Sequence, residues 1–286
     1  MSDDRAPIAF FVYKRPEHTH QALEALTVCA GTDSSHLFVF CDGPKDDADR
    51  AAVERARSIV RGCQWCGRVT IHEHTSNLGL AKSIITGVSQ VVRQYGCVIV
   101  LEDDLVVSPQ FLNYMNDALK IYRDLPQVKH IAAYMYPIQK GLPETFFYRL
   151  PSSWGWATWE RAWRDFESDA RRLKQLIEAG KRVSEFNIED NFDFFRTLQY
   201  QIEGAIDSWA IRWYASVFIN RGLCLHPARS LVRNIGHDGS GTHGKVTDRF
   251  LVNPSCERVR NFTKDIREDE QVLEAIREFL AGLRED

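Results

Sequence analysis

Short, strongly apolar runs recur through the first part of this chain and constrain its fold more than any other feature. Pro7 to Tyr13 (PIAFFVY), Leu37 to Cys41 (LFVFC) and Cys97 to Leu101 (CVIVL) are each too short for a buried helix and are built largely from aromatic and β-branched residues. That combination reads as strands covered on both faces. Val69 to His74 reads as a further strand, with Val69, Ile71 and Glu73 alternating against Thr70, His72 and His74. Helical spacing fills the intervals. One stretch opens at Pro16 and carries Ala22, Leu23 and Leu26; a charged amphipathic stretch covers Asp47 to Arg61; a third, Leu80 to Tyr95, sets Ile84, Ile85, Val88, Val91 and Val92 on one stripe. Strand and helix in alternation predict an α/β protein with a mainly parallel sheet flanked by helices. Ligands of such sheets bind at the carboxyl ends of the strands. Asp42, in Asp42-Gly43-Pro44, and the triplet Glu102-Asp103-Asp104 both stand at ends of that kind.

Composition narrows the function classes. A chain of 286 residues with 44% hydrophobic residues can bury a sizeable core, and its net charge of −3 excludes a generally basic nucleic-acid binder. No apolar stretch reaches the roughly 18 residues of a membrane span, and Met1 to Arg5 is polar, so a cytoplasmic protein is expected. The seven cysteines are odd in number and scattered, which suits reduced thiols. Cys63 and Cys66 form a lone CxxC around Trp65; without a second pair at matching spacing, loop thiols are the better reading than a zinc site.

The second half has a different texture. Trp154, Trp156, Trp159, Trp163, Trp209 and Trp213 cluster there, and Asp190 to Glu203 and Ser208 to Arg221 read as helices. Ile235 to Thr247 is rich in Gly, Ser and His without apolar periodicity, which predicts a mobile loop. Glu270 to Leu283 reads as a closing amphipathic helix packed on the body. The expectation is a helical, aromatic-rich half that shares one core with the first.

The acidic triplet carries the strongest chemical signal. Three adjacent carboxylates at the end of a buried strand repel one another, and a hard divalent cation relieves that cost. A solvated acidic turn is the alternative, and the preceding apolar strand favours the metal. Arg15, in Lys14-Arg15-Pro16, either faces the same crevice or is a solvated loop charge. Asp42 either accepts a hydrogen bond from a ligand or makes an Asx turn. Asn77 and Gly79 open the third helix, Asn77 as a ligand contact or a cap, with Lys82 one turn in as a partner for phosphate or ribose.

Taken in order, PIAFFVYKRP, FVFCDGPK, SNLGLAKS (Ser76 to Ser83), VLEDDLVVSPQFLNYM, SSWGWATW and Asp207-Ser208-Trp209 resemble the nucleotide-sugar glycosyltransferases of the GT-A fold. More narrowly, they resemble the catalytic domain of the N-acetylglucosaminyltransferase I family, and also bacterial family 2-like sugar transferases. The resemblance covers most of residues 7–245. It implies a nucleotide-sugar-binding half over 1–145 and an acceptor-binding half over 146–286, within a single GT-A domain. It implies a metal-dependent, inverting transfer of N-acetylglucosamine or a related hexose from a UDP-sugar to an acceptor hydroxyl of a carbohydrate or glycoconjugate. Asp104 would bind Mn²⁺ or Mg²⁺, with Glu102 and Asp103 toward the sugar, the ribose or ordered waters. Arg15, Asp42, Asn77, Lys82, Trp156 and His237 would meet the donor, His243 being the second histidine of the loop. Asp207 would be the general base and Glu203 the spare; from the residues alone Asp207 is better read as a helix cap, and it is the resemblance that favours the base. Trp159 and Trp163 read as core. A sugar nucleotidyltransferase and a nucleotide-sugar-binding pseudoenzyme are the competing readings. The first lacks a Gly-rich phosphate loop after the first strand, and the intact carboxylates count against the second. Peripheral contact with a membrane stays open; a nucleic-acid partner is not expected.

Overall fold

The protein is described from a computed structural model that covers residues 5–138, 141–239 and 247–283. Its first half follows the expected alternation. β1 (Ile8–Val12), α1 (Pro16–Thr27), β2 (His36–Cys41), α2 (Arg50–Gly62), β3 (Arg68–Glu73), α3 (Leu80–Tyr95) and β4 (Cys97–Glu102) succeed one another, and β1 to β4 are mutually parallel in the order β3-β2-β1-β4. Every residue of β1 is buried, as its unbroken apolar run requires. Pro16 starts α1, where a missing N–H costs nothing. The α3 stripe of Ala81, Ile84, Val88, Val91 and Val92 is buried, each large member contributing about 1.5–3 kcal/mol. That helix stops at Gly96, whose left-handed backbone lets its N–H reach Val92 O at 2.8 Å.

The chain then makes β5 (Leu105–Val107), α4 (Phe111–Ile121), β6 (Val128–Ala132), β7 (Thr145–Tyr148) and β8 (Trp156–Trp159). Short α5 (Glu160–Trp163), α6 (Ala170–Ala179), short α7 (Val183–Phe186), α8 (Phe194–Glu203) and α9 (Trp209–Ile219) follow. β9 (Leu223–Pro227), β10 (Val232–Asn234) and α10 (Glu270–Gly282) close the order. The main sheet has eight strands, β3-β2-β1-β4-β8-β6-β9-β7, with only β8 and β7 running against the rest. β10 returns to pair with β5 in a separate antiparallel ribbon.

The second half holds the expected helices, α5 to α10, and in addition β7, β8 and β9 extend the sheet. Thr-Phe-Phe-Tyr, Trp-Ala-Thr-Trp and Leu-Cys-Leu-His-Pro are buried on both faces, so they carry no two-residue alternation to mark them as strands. The helix expected from Asp190 begins at Phe194, capped by Asp193, whose Oδ1 accepts from Arg196 N at 2.9 Å. Ile188, Glu189 and Asp190 before it all have left-handed backbone, with φ of 50°, 51° and 63°. Such conformations strain residues with a Cβ. Here the surroundings hold them: Glu189 receives Arg149 and Arg277, each at 2.9 Å. Arg149 is buried and also binds Glu268 at 2.7 Å, just before α10, so the closing helix is tied to the same cluster. One large apolar cluster joins β1, β2, β4, α3 and α4 to Trp156, Trp209 and Leu225; a second lies among α6, α8, α9 and α10. None of the seven cysteines is in a disulfide; Cys63 is exposed and Cys66 buried.

Candidate active site

The acidic triplet sits where β4 turns into β5. Arg15 stands two residues beyond Tyr13 at the start of α1, so the parallel pairing of β1 with β4 sets its guanidinium opposite the triplet. Arg15 Nη2 donates to Asp103 Oδ1 and, at 3.0 Å, to Asp104 Oδ2. The Tyr13 N–H donates to Asp103 Oδ2 at 3.2 Å. Burial raises the pKa of Asp103 against the pull of Arg15. Burial, then Asp104 and Asp103 beside it, push Glu102 up to about 8. Three carboxylates thus face one guanidinium, and the strand end keeps an excess of negative charge.

The β5–β10 ribbon brings a distant loop to this point. Ile235 N donates to Asp104 O at 2.9 Å, and His18 on α1 meets Ile235 O at 3.3 Å and the Asp238 carboxylate at 3.1 Å. His18 escaped the sequence reading because nothing near it in the chain signals a partner so far away. His237, the next residue after Gly236, buries both ring nitrogens without a hydrogen-bond partner among the described residues. Its ring lies against Trp154 and Phe250, with centroids 5.2 and 6.0 Å away. Residues 240–246, including His243 and most of the expected loop, lie outside the described residues.

At the end of β2, buried Asp42 accepts from Gly43 N and Leu78 N at 2.8 Å and from Gly79 N and Asn77 Nδ2 at 3.0 Å. Asn77 also donates to Gly43 O at 3.0 Å. Both residues are occupied in fastening the loop before α3 to the strand end. Asn77 is not the cap of that helix, since Gly79 takes the cap position. A Cβ on Gly43 would come within 2.5 Å of the Ser76 backbone, so the close approach of the two loops depends on that glycine. Arg57 braces the same end, donating to His74 O at 2.6 Å and to Asp42 O at 3.2 Å. Lys82 is exposed on the first turn of α3.

Trp156 is corrected as a donor contact. It is fully buried on β8, stacked on Trp209 and His130, with its indole N–H unpartnered among the described residues. Gly155, with φ of 66°, breaks the extended backbone between the two tryptophans, and Trp154 is the one that stays accessible and lines a cavity. Trp159 and Trp163 are core, as expected. Asp207 is exposed and pairs with Arg212 at 2.8 Å. The cap of α9 is Ser208, whose Oγ accepts from Ile211 N at 3.3 Å. Glu203 ends α8, exposed, and accepts from Gln199 Nε2 at 2.9 Å.

The donor set suits a hard divalent cation of the kind that arrives with a diphosphate. Asp104 offers a carboxylate, and His237 offers buried nitrogens with no other partner. Among the described residues no three His, Cys, Asp or Glu side chains converge as a ready cage. Mg²⁺-type sites commonly use one or two carboxylates and take their other ligands from substrate phosphates and water. No helix among the described residues is long and apolar enough to cross a membrane.

No family model matches the chain, and no curated protein matches it. Among solved structures, it is similar to mouse xyloside xylosyltransferase 1 in its apo form, at 13% identity over 74% of this chain and 81% of that one, with a TM-score of 0.40. It is also similar to galactosyltransferase LgtC in complex with donor and acceptor sugar analogues, at 10% identity over 96% and 95% of the two chains, with a TM-score of 0.43. The chain's own geometry is an α/β fold with a mainly parallel sheet, an Arg15–Asp103–Asp104 charge cluster where β1 and β4 end, and a buried Asp42 at the end of β2.

Proposed function

We propose that this protein is a metal-dependent, inverting glycosyltransferase of the GT-A type. In this reading it moves N-acetylglucosamine or a related hexose from a UDP-sugar to an acceptor hydroxyl of a carbohydrate or glycoconjugate, in the cytoplasm. One observation carries the reading: Arg15, just past β1, pairs with Asp103 and Asp104 at the carboxyl end of β4, and on the other side of β1 Asp42 shapes the end of β2. Residues 1–145 then hold the donor and 146–286 the acceptor, within one domain.

Each group has a role under this reading. Asp104, with His237, would hold a divalent cation, which when bound would supply positive charge toward a diphosphate leaving group. Arg15 fixes the orientation of Asp103 and Asp104 and adds its own charge to the crevice. Glu102 and Asp103 face the ribose or sugar. Asp42 and Asn77 hold the loop against which the base lies, and Lys82 reaches a phosphate or ribose from α3. Asp207, positioned by Arg212, takes the proton of the acceptor hydroxyl as its oxygen attacks the anomeric carbon. The test is release of nucleoside diphosphate from a panel of nucleotide sugars with Mn²⁺, with and without EDTA. Release that depends on both a UDP-sugar and metal supports the reading. Full turnover in excess EDTA removes the metal, and no release from any donor removes the activity.

A further inference from the structure

A cavity of about 400 Å³ lies between β7, the segment 150–154 and the helices α8 and α9. Its walls carry Tyr134, Tyr148, Trp154, Phe192, Phe194 and Phe250, and no Asp, Glu, Lys or Arg lines it among the described residues. The volume is within the usual range for small-molecule pockets, about 300–1,000 Å³. Its position relates it to the candidate site on two sides. Trp154 and Phe250 pack on the ring of His237, next to the Gly236 that lies against Asp104. Ser208, also in the lining, directly follows Asp207.

Several of the polar groups of the wall already have partners inside the protein. Tyr134 Oη donates to Phe250 O at 3.0 Å, and Tyr214 Oη donates to Phe186 O at 2.7 Å. Ser208 Oγ caps α9, Ser152 Oγ accepts from Trp154 N at 3.3 Å, and the His226 ring nitrogens face Leu150 O and Tyr134 O. A sugar ring with several hydroxyls would find few free partners here to replace the water hydrogen bonds it loses. A flat apolar ring meets no such cost and gains stacked or edge contacts with the aromatic walls. The wall is also rigidly held. Phe192 and Phe194 follow the left-handed turn whose Glu189 is gripped by Arg149 and Arg277.

We propose that this cavity binds the acceptor by an uncharged aromatic ring, so that the substrates of the transfer are aryl-bearing alcohols or aryl glycosides. The assignment of this ring to the acceptor rests on the transferase reading above; the ring selectivity of the cavity does not. The test compares binding of phenyl, octyl and methyl β-D-glucopyranoside to the donor-free protein, by calorimetry and by Trp fluorescence. Phenyl glucoside is expected to bind at least tenfold more tightly than the methyl compound. Ala210→Phe, which fills the cavity from α9, is expected to abolish that preference while UDP affinity stays within twofold. Equal binding of phenyl and methyl compounds overturns the proposal, and so does tighter binding of octyl than phenyl, which marks an acyl-chain site. Should Ala210→Phe fail to fold, Thr197→Leu narrows the same cavity, and the comparison on the wild type decides without either. A phenyl preference without turnover of any nucleotide sugar upholds the cavity and removes the transferase reading, so the two failures are distinguishable.

Discussion

The backbone of Gly236 lies against the carboxylate of Asp104. A Cβ placed on Gly236 would come within 2.3 Å of Asp104 Oδ2 and 2.8 Å of Arg15 Nη1. Residues from the first strand's end, the fourth strand's end and the returning β10 segment therefore meet at one point, and a single missing side chain allows it.

Gly236→Ala should push Asp104 off Arg15. Overpacking of this kind costs about 1–3 kcal/mol. Thermal melting is expected to fall accordingly, and affinity for nucleotide plus Mn²⁺ to fall by more than tenfold in calorimetry. Unchanged affinity would detach Gly236 from the site.

Removing Arg15 should leave Asp103 and Asp104 facing each other in a buried setting. Breaking such a pair costs about 3–5 kcal/mol. Arg15→Ala is expected to lower the melting temperature, and millimolar Mn²⁺ to restore more of it than in the wild type, because the cation then has both carboxylates free. Asp104→Ala should remove the Mn²⁺ effect and abolish transfer while the protein stays folded. Melting curves with and without Mn²⁺ check all three proteins.

Asp207 and Ser208 separate chemistry from capping. Asp207→Asn should lower transfer by about a hundredfold or more, with donor affinity and melting near wild type. Ser208→Ala should instead cost about 1 kcal/mol of stability, because Ser208 caps α9. A wild-type transfer rate for Asp207→Asn would move attention to Glu203.

Two buried histidines make stability depend on pH. His130 Nε2 lies 3.0 Å from Ser152 O and its Nδ1 accepts from Trp213 Nε1 at 3.1 Å, so the ring is held neutral with both nitrogens used. Burial, and then neighbouring His226, hold its pKa well below the ordinary 6.5; burial lowers His226 to about 4. Both groups bind protons in the unfolded chain first, so their contribution is complete above about pH 6.5 and is lost as pH falls below it. Each should steepen the fall of stability below about pH 6.5, toward a limit of about 1.4 kcal/mol per pH unit. His130→Asn keeps a donor and an acceptor but cannot titrate. Urea unfolding across that range should show a shallower slope for the variant; equal slopes would mean His130 is not the titrating group.

The strands β1, β2 and β4, the stripe of α3 and the acidic triplet at a strand end were all legible in the sequence. Each is a local pattern: period, residue type and the abrupt step from apolar to charged within a few positions. What only the tertiary structure decided depends on partners far away in the chain. Trp154 and Trp156 are near-identical in sequence context, yet one lines a cavity and the other is sealed between β4 and β6, because the Gly155 kink and the pairing of β8 choose their faces. Asp42 could turn or bind; the approach of Asn77 to Gly79 in space occupies it. Arg15 looked like any loop cation until the β1–β4 pairing set it against Asp103. The left-handed turn at Ile188 to Asp190 carries no glycine to announce it, and it exists because Arg149 and Arg277 hold Glu189 from other elements. Local pattern selects the element; which groups an element's side chains meet is set by long-range register and burial, and no window of neighbouring residues contains that information.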